Sequence, residues 1–95
     1  MAYNSQNETQ KEICLIDKNN RGDKIRVARV EKVGKTQTTV SVDVRNMYTA
    51  DDGEVRPTQR GIRIDSETAP DIILAMIKAL GEDARQQIIT DIEDI

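Results

Sequence analysis

The stretch Val40–Ile64, VSVDVRNMYTADDGEVRPTQRGIRI, carries the most regular pattern in the sequence. It opens with three valines that alternate with Ser41, Asp43 and Arg45. A period of two is typical of a strand in an antiparallel sheet that has one face in water. We therefore predict a strand whose valines are buried and whose three polar side chains are solvated.

The rest of this stretch predicts a loop and a further strand. Residues 47–59 contain Asp52-Gly53 and Pro57, which favour turns, so we expect an irregular loop. Residues 60–64 return to alternation, and we expect this strand to bury its two isoleucines and to expose Arg63. Gly61 is expected where a side chain would block a neighbour or where the backbone bends.

Two more strands are predicted before Val40. Residues 1–10 are polar and aperiodic, and we predict a disordered tail. Residues 11–16 form a short first strand, and the turn sequence DKNNRGD follows it. The second strand covers residues 24–33. Because its apolar alternation changes phase, we expect a bulge or a strong bend near Ala28–Arg29.

A helix follows the fourth strand. Thr68-Ala69-Pro70-Asp71 matches a capping box with Pro in the first turn, and Gly81 is expected to end the helix. A second, acidic helix is predicted over residues 82–95. The predicted fold class is α+β, a four-stranded curved antiparallel sheet followed by one main helix (ββββα) and a short C-terminal helix. Residues 11–81 are expected to form one domain, and residues 82–95 an extension of it.

The main helix is apolar nearly all round, although a helix on a sheet needs only one apolar stripe. An uncovered apolar patch usually marks an interface, and a two-fold dimer in which the helices cover each other is the simplest solution. The predicted dimer interface consists of Ile72, Ala75, Met76 and Ala79. The alternative is that residues 82–95 fold back over the patch within one chain.

Composition excludes several classes of protein. The 95 residues contain no His and one Cys, so the usual general base, the commonest zinc ligand and an internal disulfide are all missing. No apolar run is long enough for a membrane span, and the N-terminus does not resemble a signal peptide. We expect no enzymatic activity, no cofactor, no metal and no membrane contact. The expected location is intracellular: the cytoplasm or nucleoid of a bacterial or viral system, or the nucleus of a eukaryote.

Charge is unevenly distributed along the chain. Residues 18–63 hold 11 basic and six acidic residues, whereas residues 64–95 hold two basic and eight acidic ones. A basic half within a chain of net charge −3 favours a polyanionic partner for that half, and the alternative is a solvated surface on which the charges happen to be segregated.

Fixed spacings within Val40–Ile64 resemble the single-stranded-DNA-binding transcriptional coactivator family called positive cofactor four. The matching residues are Asp43, Arg45, Tyr48, Asp52-Gly53-Glu54, Arg56-Pro57 and Arg60-Gly61-Ile62. The resemblance covers roughly residues 13–80. It implies helix-mediated dimers whose curved sheets form channels for single strands, with bases on aromatic side chains and the backbone on Lys and Arg.

The resemblance and the predicted solvent face of the sheet together give the candidate contacts. In the family pattern Tyr48 corresponds to a base-stacking aromatic. The predicted nucleic-acid-binding residues are Arg26, Lys32, Lys35, Arg45, Tyr48, Arg56, Pro57, Arg60 and Arg63. The family usually has an aromatic before the hairpin Gly-Lys, where this chain has Lys32-Val33, so affinity is expected to depend more on charge. The predicted ligand is single-stranded DNA, with RNA as a further possibility, and the pathway is transcription regulation, replication or repair.

Simpler interpretations of the same residues stay open at this point. Tyr48 is also compatible with a half-buried loop aromatic, Asp43 and Arg45 with an ordinary cross-strand pair, and the loop arginines with solubility. The alternative function is a protein–protein adaptor, in which the acidic C-terminal helix contacts a transcription or replication protein.

Overall fold

The computed structural model describes residues 7–95 and shows four antiparallel strands followed by two helices. The strands lie in the sheet in chain order, so each pair of neighbours forms a hairpin. The elements are β1 (Glu8–Asp17), β2 (Lys24–Val33), β3 (Thr38–Thr49), β4 (Val55–Asp65), α1 (Ala69–Leu80) and α2 (Glu82–Glu93). This order confirms the predicted ββββα arrangement and the short second helix.

Strand β1 is longer than the sequence predicted. It begins at Glu8, so residues 8–10, expected in a disordered tail, pair with β2 instead, from Glu8 opposite Lys32 onwards. Ladder hydrogen bonds to a neighbouring strand satisfy the backbone of a polar segment even where its side chains bury little. The remainder of the predicted tail, residues 1–6, lies outside the described residues.

The predicted irregular loop at residues 47–59 is mostly strand, and that prediction is wrong. β3 continues to Thr49, β4 begins at Val55, and a short turn joins them. The Asp52 side chain accepts a hydrogen bond from the Glu54 amide at 2.9 Å, and Gly53 adopts a positive φ of 86°. Pro57 lies on an edge strand beside the register shift between Arg45 and Met47, and sheets tolerate proline at edges and bulges.

The bulge expected in β2 near Ala28–Arg29 lies in β1. β2 and β3 pair without interruption from Lys24 to Val33, whereas the β1 register shifts between Glu12 and Cys14, opposite Ala28 and Val27. The change of phase in the apolar pattern of β2 instead reflects burial, because Ala28 and Val30 are each only 1% exposed.

The sheet is curved, and its polar face is the inner one. Glu8 in β1 and Arg63 in β4 are three strands apart, roughly 14 Å in a flat sheet, yet Arg63 Nη1 donates a hydrogen bond to Glu8 Oε1 at 2.8 Å. This inner face also carries the buried residues Ala28, Val30, Asp43 and Met47. Curvature therefore buries side chains on a face that no helix covers.

The expectation that β3 would bury its valines and solvate Asp43 is wrong. Asp43 is 0% exposed, whereas Val40, Val42 and Val44 are only half-buried. On β4, Ile62 of the same outer face is 55% exposed although it was expected to be buried. The outer face is left open because neither helix packs extensively against a strand.

Helix α1 packs against α2 and contains no buried residue. Thr68 makes no capping hydrogen bond through its side chain, so the predicted capping box is absent, while Pro70 lies in the first turn as expected. Gly81 ends α1 with a φ of 98°. None of the helices in residues 7–95 has the length and apolar character that crossing a membrane requires.

Candidate nucleic-acid interface

The inner face of the sheet is centred on the buried carboxylate of Asp43. Arg45 Nε and Nη2 each donate a hydrogen bond to it at 2.9 Å, one to each oxygen. Arg63 Nε and Nη2 both contact Oδ2 at 3.3 Å, and Arg26 Nη2 lies 3.6 Å from Oδ1. The β2–β3–β4 register produces this cluster, since Arg26 pairs with Arg45, and Asp43 with Arg63.

Electrostatics keep this cluster ionised. Burial by itself would raise the pKa of Asp43, but the hydrogen bond and charge of Arg45, with those of Arg63, outweigh burial and hold that pKa below its ordinary value. The hydrogen bond to Asp43 in turn raises the pKa of Arg45. Three guanidinium groups therefore surround one carboxylate that is ionised at neutral pH.

The three arginines and their neighbours line an open groove, which we call the arginine groove. Its lining comprises Gln10, Arg26, Arg45, Pro57, Thr58, Gln59 and Arg63. Arg45 Nη1 also donates to the Thr58 carbonyl at 3.0 Å, and Arg26 Nη2 donates to Gln10 Oε1 at 3.2 Å. Arg26 Nε is buried with no hydrogen-bond partner among the described residues. The groove thus combines fixed cations, amide groups and one unused buried donor.

Tyr48 lies at the end of β3 and is 40% exposed. Its ring is therefore accessible, as base stacking requires, and not enclosed in a core. Tyr48 is the cross-strand neighbour of Arg56, whose guanidinium is bound by Asp52 and Glu54 of the adjoining turn.

A second depression, which we call the tyrosine pocket, has a volume of about 220 Å³. It is lined by Lys18, Asp23, Asn46, Met47, Tyr48, Thr58 and Arg60. Thr58 lines both this pocket and the arginine groove, so the two are adjacent. Lys18 was not among the predicted contacts, and neither were Gln10, Thr58 and Gln59. Only the positive charge of Lys18 could have suggested it as a contact, because the turn sequence DKNNRGD does not reveal which part of the sheet the turn packs against.

The nine predicted contacts fall into three groups. Arg26, Arg45, Arg63 and Pro57 line the arginine groove, and Tyr48, Arg56 and Arg60 cluster around the tyrosine pocket and the neighbouring β3–β4 turn. Lys32 and Lys35 lie at the β2–β3 hairpin, where Lys32 pairs with Thr39. That is nine residues along β3 from Tyr48, or roughly 30 Å.

The three groups differ in whether their basic side chains already contact carboxylates. Arg26, Arg45, Arg63 and Arg56 all contact carboxylates. Within residues 7–95, Lys32, Lys35 and Arg60 of the predicted set have no carboxylate oxygen within 4.0 Å. No group of three or more His, Cys, Asp or Glu side chains in that same part of the chain could hold a metal ion.

Comparison with known proteins gives one solved structure with this fold. A crystal structure of a PC4 homolog from Burkholderia pseudomallei K96243 matches the chain with a TM-score of 0.60 and 26% sequence identity. The match covers 77% of this chain and 100% of that one. No family model matches the sequence, and a search of curated proteins finds no match.

Proposed function

The chain is PC4-like, as its resemblance to positive cofactor four predicts, and we propose that it binds single-stranded DNA largely without regard to base sequence. The observation that carries the proposal is the arginine groove together with an exposed tyrosine, Tyr48, whose pocket shares Thr58 with the groove. Cations that follow a backbone and an aromatic that accepts bases are the two parts of a sequence-tolerant single-strand site. Such a protein would act in transcription regulation, replication or repair within the cell, without catalysis.

Single strands suit this surface better than duplexes. A base reaches the Tyr48 ring only when it is unpaired, because duplex bases are stacked inside the helix. Each base stacked on an aromatic contributes about 1–3 kcal/mol, and every base has a suitable face. The amide and hydroxyl groups of Gln10, Thr58 and Gln59 add donors and acceptors that an extended backbone can use.

We also propose that the chain functions as a homodimer through α1, with Ile72, Ala75, Met76 and Ala79 in the interface. Met76 is 61% exposed, Ala75 and Ala79 are also exposed, and Ile72 is half-buried. α2 packs on α1, as the alternative prediction had it, but it leaves Ile73, Leu74 and Leu80 at 53%, 62% and 64% exposure. The intramolecular alternative therefore covers the patch only in part.

The test of single-strand binding is an anisotropy titration with a labelled oligo-dT of about 20 nucleotides. We expect binding in the micromolar range or tighter at low salt, weaker binding to a duplex of equal length, and an affinity that falls log-linearly with salt. An RNA of matched sequence, titrated in parallel, measures the preference for the sugar. Absence of binding below tens of micromolar at low salt removes the proposal.

A second candidate function is a protein adaptor, and it is favoured by the composition of α2. This helix exposes Ile89 and Ile92 at 38% and 54%, beside Asp91 and Glu93. An exposed apolar stripe next to acids suits a basic partner such as a transcription or replication protein. Deleting residues 82–95 separates the two functions, because a strand binder keeps its affinity for oligo-dT and an adaptor loses its partner.

A further inference from the structure

The loop between β1 and β2 is fixed in place beside Tyr48. The Lys18 amide donates to the Asp23 carbonyl at 2.9 Å, which closes the loop. The Asn19 side chain accepts the amide hydrogens of Arg21 and Asp23 at 2.9 and 3.3 Å. Thr49, the residue after Tyr48, donates its hydroxyl to the Gly22 carbonyl at 2.7 Å and so ties the loop to the end of β3.

This docking brings two cations to one small pocket. Lys18 from the loop and Arg60 from β4 both line the tyrosine pocket, and neither has a carboxylate oxygen within 4.0 Å in the part of the chain that is described. Asp23 lines the pocket too, but its carboxylate is hydrogen-bonded by Asn19 at 2.9 Å and lies 3.8 Å from Arg21. Two cations that line one pocket and contact no carboxylate among the described residues make the site beside Tyr48 electropositive.

We propose that Lys18 and Arg60 jointly bind one phosphate of the single strand, so that the tyrosine pocket holds one nucleotide with its base on Tyr48. This inference rests on the proposed single-strand function and assigns a role to Lys18, a residue outside the predicted set. Arg60 supplies a planar fork of donors and Lys18 a compact charge, and the two together match a phosphate that carries a base. The arginine groove differs, since two carboxylates, Asp43 and Glu8, offset part of the charge of its three arginines.

The first test measures how the affinity for oligo-dT depends on salt. The log–log slope changes by about 0.7 for each phosphate contact on a single strand. Lys18→Ala is expected to reduce the slope by up to about 0.7, which is an affinity loss of about eightfold at 50 mM salt. The matched control is Lys11→Ala, which removes the same charge from an exposed position paired with Arg29 on the outer face.

A shared phosphate makes a specific prediction for the double variant. Lys18→Ala with Arg60→Ala is expected to lower the slope by about 0.7 in total, because one phosphate contact is lost. A loss of about 1.4 would mean two separate phosphates and would overturn the shared site.

The position of Lys18 is tested without removing it. Gly22 has a φ of +93°, and a Cβ there would lie 2.9 Å from Thr49 Oγ1. Gly22→Ala is therefore expected to displace the loop and reduce the salt slope as Lys18→Ala does, in protein whose circular dichroism is unchanged. A wild-type slope in a folded Gly22→Ala protein would contradict the role of the docked loop.

Quenching of Tyr48 fluorescence provides a separate test of whether the tyrosine pocket binds a nucleotide. The sequence has two tyrosines and no tryptophan, so Tyr3→Phe leaves Tyr48 as the only tyrosine fluorophore. Thymidine 5′-monophosphate is expected to quench Tyr48 at lower concentration than thymidine does, and Lys18→Ala should abolish that difference. Equal quenching by both compounds in the Tyr3→Phe protein would overturn the inference.

Failure of this inference is distinct from failure of the proposed function. Wild-type protein that binds oligo-dT, combined with identical slopes for Lys18→Ala and Lys11→Ala, removes the Lys18–Arg60 site alone. Wild-type protein that does not bind oligo-dT removes both.

Discussion

Arg45 binds the carboxylate of Asp43, two residues before it on β3, through two parallel hydrogen bonds of 2.9 Å. Residues i and i+2 of a strand share one face, so this pair needs no turn or distant element. Such a two-pronged contact fixes both side chains in orientation as well as in charge. Because Asp43 is fully buried, it is the centre on which the other two arginines of the groove are arranged.

Removing the charge of Asp43 should destabilise the fold. Asp43→Asn removes the carboxylate that three guanidinium groups share, although Arg63 keeps its contact with Glu8, and breaking a buried ion pair from one side costs about 3–5 kcal/mol. We expect the urea midpoint to fall accordingly. Asp51→Asn, at an exposed position of the β3–β4 turn, is the control and should change it little. Equal midpoints for the two variants would mean that Asp43 contributes no net stability.

The same pair predicts how stability depends on pH. The pKa of Asp43 is lowered from 3.8, so the folded state binds its proton less readily than the unfolded state does. Its contribution is therefore complete above the unfolded pKa of 3.8 and is lost as pH falls through the still lower folded pKa. In urea titrations at pH 7, 5 and 3, the difference between wild type and Asp43→Asn should stay constant from pH 7 to 5 and shrink at pH 3. A difference that grows towards pH 3 would contradict the sign of this pKa shift.

Tyr48 and Arg60 should affect single-strand binding in different ways. Tyr48→Ala removes a stacked base worth about 1–3 kcal/mol, so affinity for oligo-dT should fall roughly five- to 150-fold with an unchanged salt slope. Arg60→Ala should reduce both the affinity and the slope. Tyr48→Phe is the control, because it keeps the ring. Identical behaviour of the alanine variants across a salt series would refute the assigned roles.

Gly61 should resist substitution because it lies against β3. A Cβ at this position would be 2.8 Å from the Val44 carbonyl oxygen and 2.9 Å from Arg45 Cζ. This confirms that Gly61 lies where a side chain would collide with a neighbouring strand. Gly61→Ala should cost about 1–3 kcal/mol of unfolding free energy by overpacking, whereas Gln59→Ala on the same strand should not. Chemical denaturation of both variants measures this, and equal stabilities would show that the strands separate easily.

The dimer proposal predicts that a charge on α1 changes the assembly state. Met76→Glu places a carboxylate in the proposed interface, where an unpaired charge is costly to bury. Light scattering at micromolar concentration should give twice the 10.7 kDa chain mass for wild type and a smaller mass for Met76→Glu. Thr36→Glu, at the exposed β2–β3 hairpin, should stay dimeric. A wild-type mass of one chain would end the proposal.

The sequence alone determined the order and type of the elements. Alternation in β3, turn residues at the hairpins and an apolar run closed by Gly81 are local signals, because each depends on neighbours a few residues away. The spacings around Tyr48 also led correctly to a PC4-like chain. Strand lengths were less accessible, since polar residues such as Glu8–Gln10 join a sheet through backbone hydrogen bonds that leave no pattern in the side chains.

Only the tertiary structure decided which face of the sheet is buried and which cations are available to a ligand. Alternation separates the two faces of β3 but does not say which way the sheet curves, and curvature encloses Asp43 while the valine face stays open. The sequence likewise gives Lys18 and Arg60 the same charge as Arg26 and Arg63. Their difference arises only when the hairpins bring Arg26 and Arg63 to Asp43 and leave Lys18 in the tyrosine pocket, because electrostatic pairing depends on distances between residues far apart in the chain.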